Sequence, residues 1–181
     1  MKTKLIILLL IVTSGLYAQK QDVYRNQEFG FRITFEGEMK TINKLIPVND
    51  QNVEMNMFLV DNSANSSATN LLYSVAHAAY NKEEYLVEDS ERDDLVLNSA
   101  VDGAKNNVKG NIIFNKGFTL NGFPGKQAKI KIQGAYIYIN LILVKHELYF
   151  TQVICTLEND ENDDIDRFFE SFDLIKTKKR L

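Results

Sequence analysis

The amino-acid sequence predicts an α+β domain, in which an antiparallel β-sheet of about six strands is flanked by helices as an α/β/α sandwich. Three observations predict this architecture. Several segments alternate apolar and polar residues with the period of a strand. Short turn signals separate the last four of these segments, and two further segments carry apolar residues at helical spacing.

Alternation marks the first strands. Residues 29–35 place three phenylalanines and an isoleucine on one face, and residues 53–60 are apolar at every second position. Residues 71–80 are rich in alanine, which suits a helix as well as a strand, but their alternation and the lack of a helix cap favour a strand. The Asn- and Ser-rich residues 61–70 predict an exposed loop.

Residues 110–157 predict a four-stranded antiparallel meander. Asn121-Gly122 is a strong hairpin signal, because both turn positions require a positive φ. Two further turn signals, at residues 133–134 and 145–146, separate the runs that follow. The third run, residues 136–144, becomes apolar on both faces, so we expect it to be central and covered on both sides.

Two helices are predicted to supply this cover. The first begins near Ser90, where Ser90 and Asp93 approximate a capping box. Its apolar stripe consists of Leu97, Val101, Ala104 and Val108. The second helix runs from about Asp160 to Phe172 and carries three phenylalanines and an isoleucine on one stripe.

Composition excludes several functional classes. The chain has 181 residues, of which 45% are hydrophobic and 25% charged, so it can bury the core of one domain. A single cysteine excludes a disulfide framework and a cysteine-based zinc site, and two histidines leave little for a histidine-rich metal centre. The net charge of −3 lacks the basic excess of nucleic-acid-binding proteins. We expect no cofactor and no nucleic-acid partner.

The N-terminus has the layout of a secretory signal peptide. Lys2 and Lys4 precede an apolar run over residues 5–12, and a candidate cleavage point follows Ala18. This run is about half the roughly 20 residues that a membrane-spanning helix needs, and no cysteine follows it to carry a lipid anchor. We expect residues 1–18 to be removed and residues 19–181 to form one exported domain in the periplasm or outside the cell, without stable membrane insertion.

Four features, in this order, resemble the PsbP-like and Mog1-like superfamily of small single domains. They are FGFRITFEGE at residues 29–38, the mid-chain helix, LNGFPGKQAKIKI at residues 120–132 and DDIDRFFESFDLI at residues 163–175. Glu36-Gly37 stands where such openings often have a proline, so the first turn departs from the family pattern. The resemblance implies an antiparallel sheet between helices and an accessory, assembly or interaction role. It does not imply a photosystem function, for which no cofactor or docking motif is present.

The acidic run before the closing helix allows two interpretations. In a calcium loop, Asp160, Asn162 and Asp164 would take the first three ligand positions, but Ile165 replaces the required glycine and Ser171 the required bidentate glutamate. The pattern favours carboxylates that stabilise a helix N-terminus. A weak calcium site of another type is the alternative.

Catalytic motifs are not recognisable. Cys155 is expected to be a buried strand residue, His146 lies about 25–30 Å away along an extended strand, and nothing in the sequence places His77. Serine-hydrolase and phosphate-loop motifs are absent. We therefore expect a protein that is not an enzyme, and a small carboxylate-based hydrolase is the alternative.

Two tyrosines are the candidate binding surface. Tyr136 and Tyr138 share one face of the third meander strand, and tyrosine is common at interfaces; core packing under a helix is the other interpretation. The sequence thus predicts a non-catalytic binding or accessory protein of the bacterial cell envelope, which uses a sheet face or a groove beside the helices. No motif identifies its protein or small-molecule partner.

Overall fold

A computed structural model describes residues 22–48, 51–85, 87 and 89–175. Within them, short 3₁₀ turns lie at Lys82–Tyr85 and Leu157–Asn159. The strands and helices, in chain order, are β1 (Asp22–Asn26), β2 (Phe31–Phe35), β3 (Lys40–Val48), β4 (Gln51–Asp61), β5 (Asn70–Ala79), α1 (Ser90–Asn107), β6 (Asn111–Leu120), β7 (Phe123–Ile132), β8 (Ala135–Val144), β9 (Glu147–Thr156), α2 (Asp163–Ser171) and β10 (Asp173–Leu174). The α+β class is confirmed.

A seven-stranded antiparallel sheet has the order β3-β4-β5-β9-β8-β7-β6. Strands β6 to β9 form the predicted meander, and residues 71–79 of the alanine-rich segment lie in strand β5 rather than in a helix. In the turn between β6 and β7, Asn121 has a φ of 52° and Gly122 has a φ of 82°, so both turn residues have the positive φ that this hairpin requires. The pairing of β5 with β9 joins the meander to the β3–β4–β5 unit.

Two parts of this sheet arrangement differ from the sequence prediction. The strand predicted over residues 29–35 belongs to a separate three-stranded sheet with the order β1-β2-β10, which packs on one face of the larger sheet. The sequence does not predict strand β3. Apolar and polar residues alternate in a strand that buries one face, and no residue of β3 is buried.

The seven-stranded sheet has a core on each face. On one face, the small sheet and α2 pack around Phe31, Val75 and Phe168. On the other face, α1 packs on β6, β7 and β8 around Leu97 and Ile139. Strand β8 contributes to both cores, so its predicted burial on both faces is confirmed.

Helix α1 begins at Ser90, as predicted, but its capping residue differs, and α2 begins later than predicted. Asp89, not Ser90, caps α1, because its carboxylate accepts hydrogen bonds from two backbone N–H groups of the first turn at 3.0 Å. Val108, predicted to be in the apolar stripe, follows the helix end and is 40% exposed. Helix α2 starts at Asp163 rather than Asp160, since the 3₁₀ turn comes first and Asn162 provides the cap.

The signal-peptide prediction for residues 1–18 falls outside the described residues. In the described part of the chain, neither helix combines the length and apolarity needed to cross a bilayer.

Adjacent phenylalanines of α2 test which side chains hold the helix on the sheet. Phe168 is 5% exposed and its ring contacts those of Phe35 and Tyr73, whereas Phe169 is only half-buried. We expect Phe168→Ala to lower the free energy of unfolding by about 3–5 kcal/mol. Phe169→Ala, the matched control, should cost clearly less in urea denaturation; equal losses would contradict this packing.

Candidate functional site

A groove of about 660 Å³ lies between α1 and the half of the seven-stranded sheet that α1 leaves uncovered. Its floor combines buried and half-buried side chains from neighbouring strands: Ile46, Val53, Met55, Ala76, Ala78, Leu148 and Phe150. These residues come from β3, β4, β5 and β9, at alternate positions that point to the α1 side of the sheet. The groove floor is therefore apolar, and two alanines keep it low.

One wall of the groove is aromatic. Tyr80 follows β5 and is held by a 2.8 Å hydrogen bond from its backbone N–H to the carbonyl of His146. Its ring stacks on that of Tyr85, with centroids 5.9 Å apart and planes 15° apart. Arg92 also contacts Tyr85, with its guanidinium 4.4 Å from the ring centroid, and it donates hydrogen bonds to the backbone carbonyls of Glu84 and Val87. Burial raises the pKa of Tyr80 to about 12, so this wall carries neutral phenols.

A second part of the lining is a row of small and apolar residues on α1: Leu95, Val96, Ser99, Ala100 and Gly103. Gly103 is inside the helix, where alanine would be more favourable by about 1 kcal/mol. In the part of the chain that the structure describes, no heavy atom lies within 4 Å of a Cβ atom built at Gly103. The packing of these residues therefore does not require glycine there, and the missing side chain widens the groove.

A second cavity is polar and lies at the loop between β4 and β5. It has a volume of about 770 Å³ and is lined mainly by polar groups such as Asn65, Ser67, Thr69 and Arg167. The loop follows its own Asx turns, in which Asp61 and Asn65 accept backbone hydrogen bonds at 3.0 Å. The predicted loop is confirmed over residues 62–69, whereas Asp61 belongs to β4 and Asn70, which is 1% exposed, belongs to β5.

The two candidate tyrosines, Tyr136 and Tyr138, surround a buried lysine. The ammonium of Lys129 lies 4.4 Å from the ring centroid of Tyr136 and 5.1 Å from that of Tyr138, and it donates to Asp160 at 2.8 Å and Glu161 at 3.2 Å. Tyr138 is 7% exposed and its hydroxyl donates to Asp160, whereas Tyr136 remains half-buried. Tyr138 thus packs in the core in this structure, which agrees with the alternative interpretation, and only Tyr136 offers some accessible surface.

Charges in this cluster shift one another's pKa. Burial opposes the charge of Lys129, but hydrogen bonds to Asp160, Tyr138 and Glu161 outweigh it and raise the pKa of the ammonium. Burial also opposes the Asp160 carboxylate, but the hydrogen bonds from Lys129 and Tyr138 lower its pKa. Burial raises the pKa of Tyr138 to about 12, and the neighbouring carboxylate adds to this.

The three calcium candidates are each occupied by protein partners. Asp160 binds Lys129 and Tyr138, and Asn162 exchanges two 3.0 Å hydrogen bonds with Asn70 while it caps α2. Asp164 forms an ion pair with Arg167. Within the described ranges, no three His, Cys, Asp or Glu side chains are placed to hold a metal ion. The calcium site stays a prediction, which calorimetric titration with millimolar calcium tests.

His77 and Cys155 do not form a nucleophile–base pair. Cys155 pairs with Asn70 across β5 and β9, and His77 lies seven residues further, about 23 Å along the strand. Cys155 is fully buried, as predicted, and burial raises its thiol pKa to about 11. The His77 ring stacks on Phe29 with centroids 4.6 Å apart, and its Nε2 lies 3.7 Å from the Glu147 carboxylate.

The sequence predicts a groove beside the helices as one possible binding site, but it does not identify the residues that line this groove. Its floor combines the consecutive strands β3, β4 and β5 with β9, which is distant from them in the chain, so no local motif reports it. Two signals were available: the glycine inside α1, and the alanines at alternate positions of β5, Ala76 and Ala78.

Comparison with known proteins identifies the fold. The solution structure of CyanoP, the cyanobacterial PsbP from Synechocystis sp. PCC 6803, is similar to this chain with a TM-score of 0.54 and 10% sequence identity. The match covers 91% of this chain and 98% of that chain. No protein-family model matches the chain, and no curated protein matches it in sequence. The expected PsbP-like fold is confirmed, and at this identity the likeness concerns the fold alone.

The contribution of Lys129 to stability can be tested with two matched variants. We expect Lys129→Ala to lower the free energy of unfolding by about 2 kcal/mol, because it removes a buried ammonium that holds two carboxylates. Lys131→Ala is the control on the same strand and face; its side chain is exposed, so its cost should stay below about 0.5 kcal/mol. Similar values for both variants in urea denaturation would contradict the role of Lys129.

The lowered pKa of Asp160 predicts a pH dependence. Its ion pair contributes fully above the unfolded-state pKa of about 3.9, and the contribution disappears as the pH falls through the lower folded-state value. The stability difference between the wild type and Asp160→Asn should therefore be larger at neutral pH than near pH 3. In a Lys129→Ala background this pH-dependent part should shrink. A difference that does not change with pH would refute the coupling.

Proposed function

We propose that this protein is an exported, non-catalytic binding protein of the bacterial cell envelope, and that the groove beside α1 is its binding site. The observation that carries the proposal is the groove itself, about 660 Å³ with an apolar floor and an aromatic wall. Binding sites for small ligands are typically concave, mainly apolar, and between about 300 and 1,000 Å³. Export rests on the N-terminal sequence pattern.

The edge strands of the seven-stranded sheet oppose binding by strand addition, in which a partner strand pairs with a sheet edge. They therefore favour the groove as the binding site. Edge strand β3 carries Lys40, Lys44 and Pro47, and edge strand β6 contains a bulge between Ile112 and Phe114. Lysine, proline and bulges at an edge oppose pairing with another strand.

The charged side chains of the described residues favour binding over carboxylate-based hydrolysis. Hydrolysis by two carboxylates needs them to converge on a substrate. Three acidic residues that the sequence offers are instead paired with cations: Asp94 with Lys126, Asp160 with Lys129, and Asp173 with Arg32.

A variant of Gly103 tests the groove. N-phenyl-1-naphthylamine, a neutral apolar dye, should bind to the wild type with increased fluorescence. Gly103→Leu should weaken this binding at least about tenfold, because a leucine side chain enters the groove and removes contacts worth a kcal/mol or more. The fold should tolerate the substitution, since leucine is a better helix former than glycine.

Two controls separate blocking of the groove from other effects. Gly103→Ala should raise the free energy of unfolding by about 0.5–1 kcal/mol and weaken dye binding less than leucine does. Asp102→Leu adds the same side chain to an exposed neighbouring position outside the groove lining. If Gly103→Leu binds the dye as the wild type does, or if Asp102→Leu weakens binding equally, the groove is not the binding site.

A further inference from the structure

We infer that the groove binds an uncharged aliphatic carbonyl compound, whose carbonyl oxygen accepts a hydrogen bond from the phenol hydroxyl of Tyr80 or Tyr85. This inference rests on the proposed function and adds the chemical class of the ligand. Two observations carry it. The two phenols are donors without a protein acceptor in the described part of the chain, and the rest of the lining suits an aliphatic chain.

The hydroxyls of Tyr80 and Tyr85 are available to a ligand. Both tyrosines line the groove. Among the residues that the structure describes, neither hydroxyl donates a hydrogen bond to another residue or accepts one from it. The described residues do not enclose either oxygen, so a ligand can reach both. In a mainly apolar site, a few such polar groups fix the orientation of the ligand.

The aromatic wall holds these hydroxyls in place. The backbone N–H of Tyr80 donates to the carbonyl of His146, and the Tyr80 ring stacks on that of Tyr85. Arg92 in turn contacts the Tyr85 ring. Donors that are ordered before binding lose little conformational freedom when the ligand arrives, so more of the hydrogen-bond energy remains as affinity.

The protonation state of the phenols selects an acceptor. Burial raises the pKa of both groups, that of Tyr80 to about 12, so each keeps its proton at neutral pH. A phenol oxygen shares a lone pair with its ring, which makes the hydroxyl a stronger donor than acceptor. A carbonyl oxygen has two lone pairs and no proton, and it is therefore the matching group on the ligand.

Charge does not distinguish ligands at this groove. Glu84 belongs to the lining, and Lys44, which pairs with Met55 of the floor, lies on the same sheet face. The ring of His77 stacks on Phe29 on the opposite face of the sheet. An ionised head group that leaves water needs an opposite charge held for it, whereas a carbonyl needs only a hydrogen-bond donor. The lining thus suits an uncharged ligand.

The remaining lining suits the aliphatic part of the ligand. Low side chains, those of Met55, Ala76 and Ala78, form the floor between Tyr80 and the open space at Gly103. A methylene group that leaves water for such a surface gains a favourable free energy, and this gain accumulates along an alkyl chain.

Two matched ligands test the hydrogen bond. 2-Nonanone and 1-nonene have the same number of carbon atoms, and the ketone alone carries a carbonyl. Each is used below its solubility limit to displace N-phenyl-1-naphthylamine from the full folded chain. The double variant Tyr80→Phe/Tyr85→Phe keeps both rings and removes both hydroxyls. We expect it to weaken displacement by 2-nonanone at least about fivefold, the effect of one hydrogen bond, and to change displacement by 1-nonene less than about twofold.

The carbonyl stretching band gives a second measurement, which does not depend on affinity. 2-Nonanone with an isotope label at its carbonyl carbon should absorb at lower infrared frequency when bound to the wild type than in hexane, because a donated hydrogen bond weakens the C=O bond. Bound to the double variant, its band should move back towards the value in hexane. A band that is the same in the wild type and in hexane would overturn the inference.

Two further variants control for the loss of a hydroxyl elsewhere. Ser99→Ala removes a hydroxyl from the α1 part of the lining, and Tyr136→Phe removes a phenol outside the lining. Both should bind 2-nonanone as the wild type does, and circular dichroism checks that all variants are folded. An equal loss in Ser99→Ala, no loss in the double variant, or an equal loss for 1-nonene would contradict the inference.

Failure of the ligand class and failure of the groove give different results. If the dye binds and Gly103→Leu blocks it while the double variant binds 2-nonanone as the wild type does, the groove function stands and the ligand class is wrong. If the dye does not bind, both fail.

Discussion

The unequal cover of the two sheet faces determines much of what this molecule can do. Seven strands at a spacing of about 4.8 Å make a sheet roughly 29 Å wide, whereas a helix with its side chains is about 10 Å across. One face is covered by α2 and the three-stranded sheet together. The other face has α1, which packs on β6, β7 and β8. Strands β4, β5 and β9 therefore keep apolar side chains beside the helix, and the groove is the space left over.

Small residues maintain this space. If Ala76 and Ala78 were large, the floor would rise towards α1, and if Gly103 had a side chain it would project into the opening. Native cores close most voids of this size because unfilled apolar space lowers stability. The glycine inside α1 lowers helix propensity, and this cost agrees with the proposed role of the groove as a binding site.

The sequence predicts the parts of the structure that local patterns control. The meander, the Asn121-Gly122 turn and the two-sided burial of β8 follow from turn chemistry and alternation over a few residues. Strand β3 has no buried face and so leaves no pattern, and the groove arises from four strands and a helix that are brought together only by the fold. The acidic run shows the same limit, since Lys129, which binds Asp160, lies 31 residues earlier in the chain.

The lysine cluster explains why that acidic run need not bind a metal ion to be ordered. Lys129 provides a buried positive charge on the sheet face that α2 and the three-stranded sheet cover. There it binds Asp160 and Glu161 in the turn before α2. Asn162 then caps the helix and is itself fixed by Asn70 from the end of the long loop. A protein ammonium thus does at this position what a bound cation does in a calcium loop, which is to hold several oxygen ligands together. Because this anchor and the groove lie on opposite faces of the sheet, the residues that hold the turn before α2 are separate from those that border the groove. A substitution at Gly103 therefore leaves this anchor unchanged.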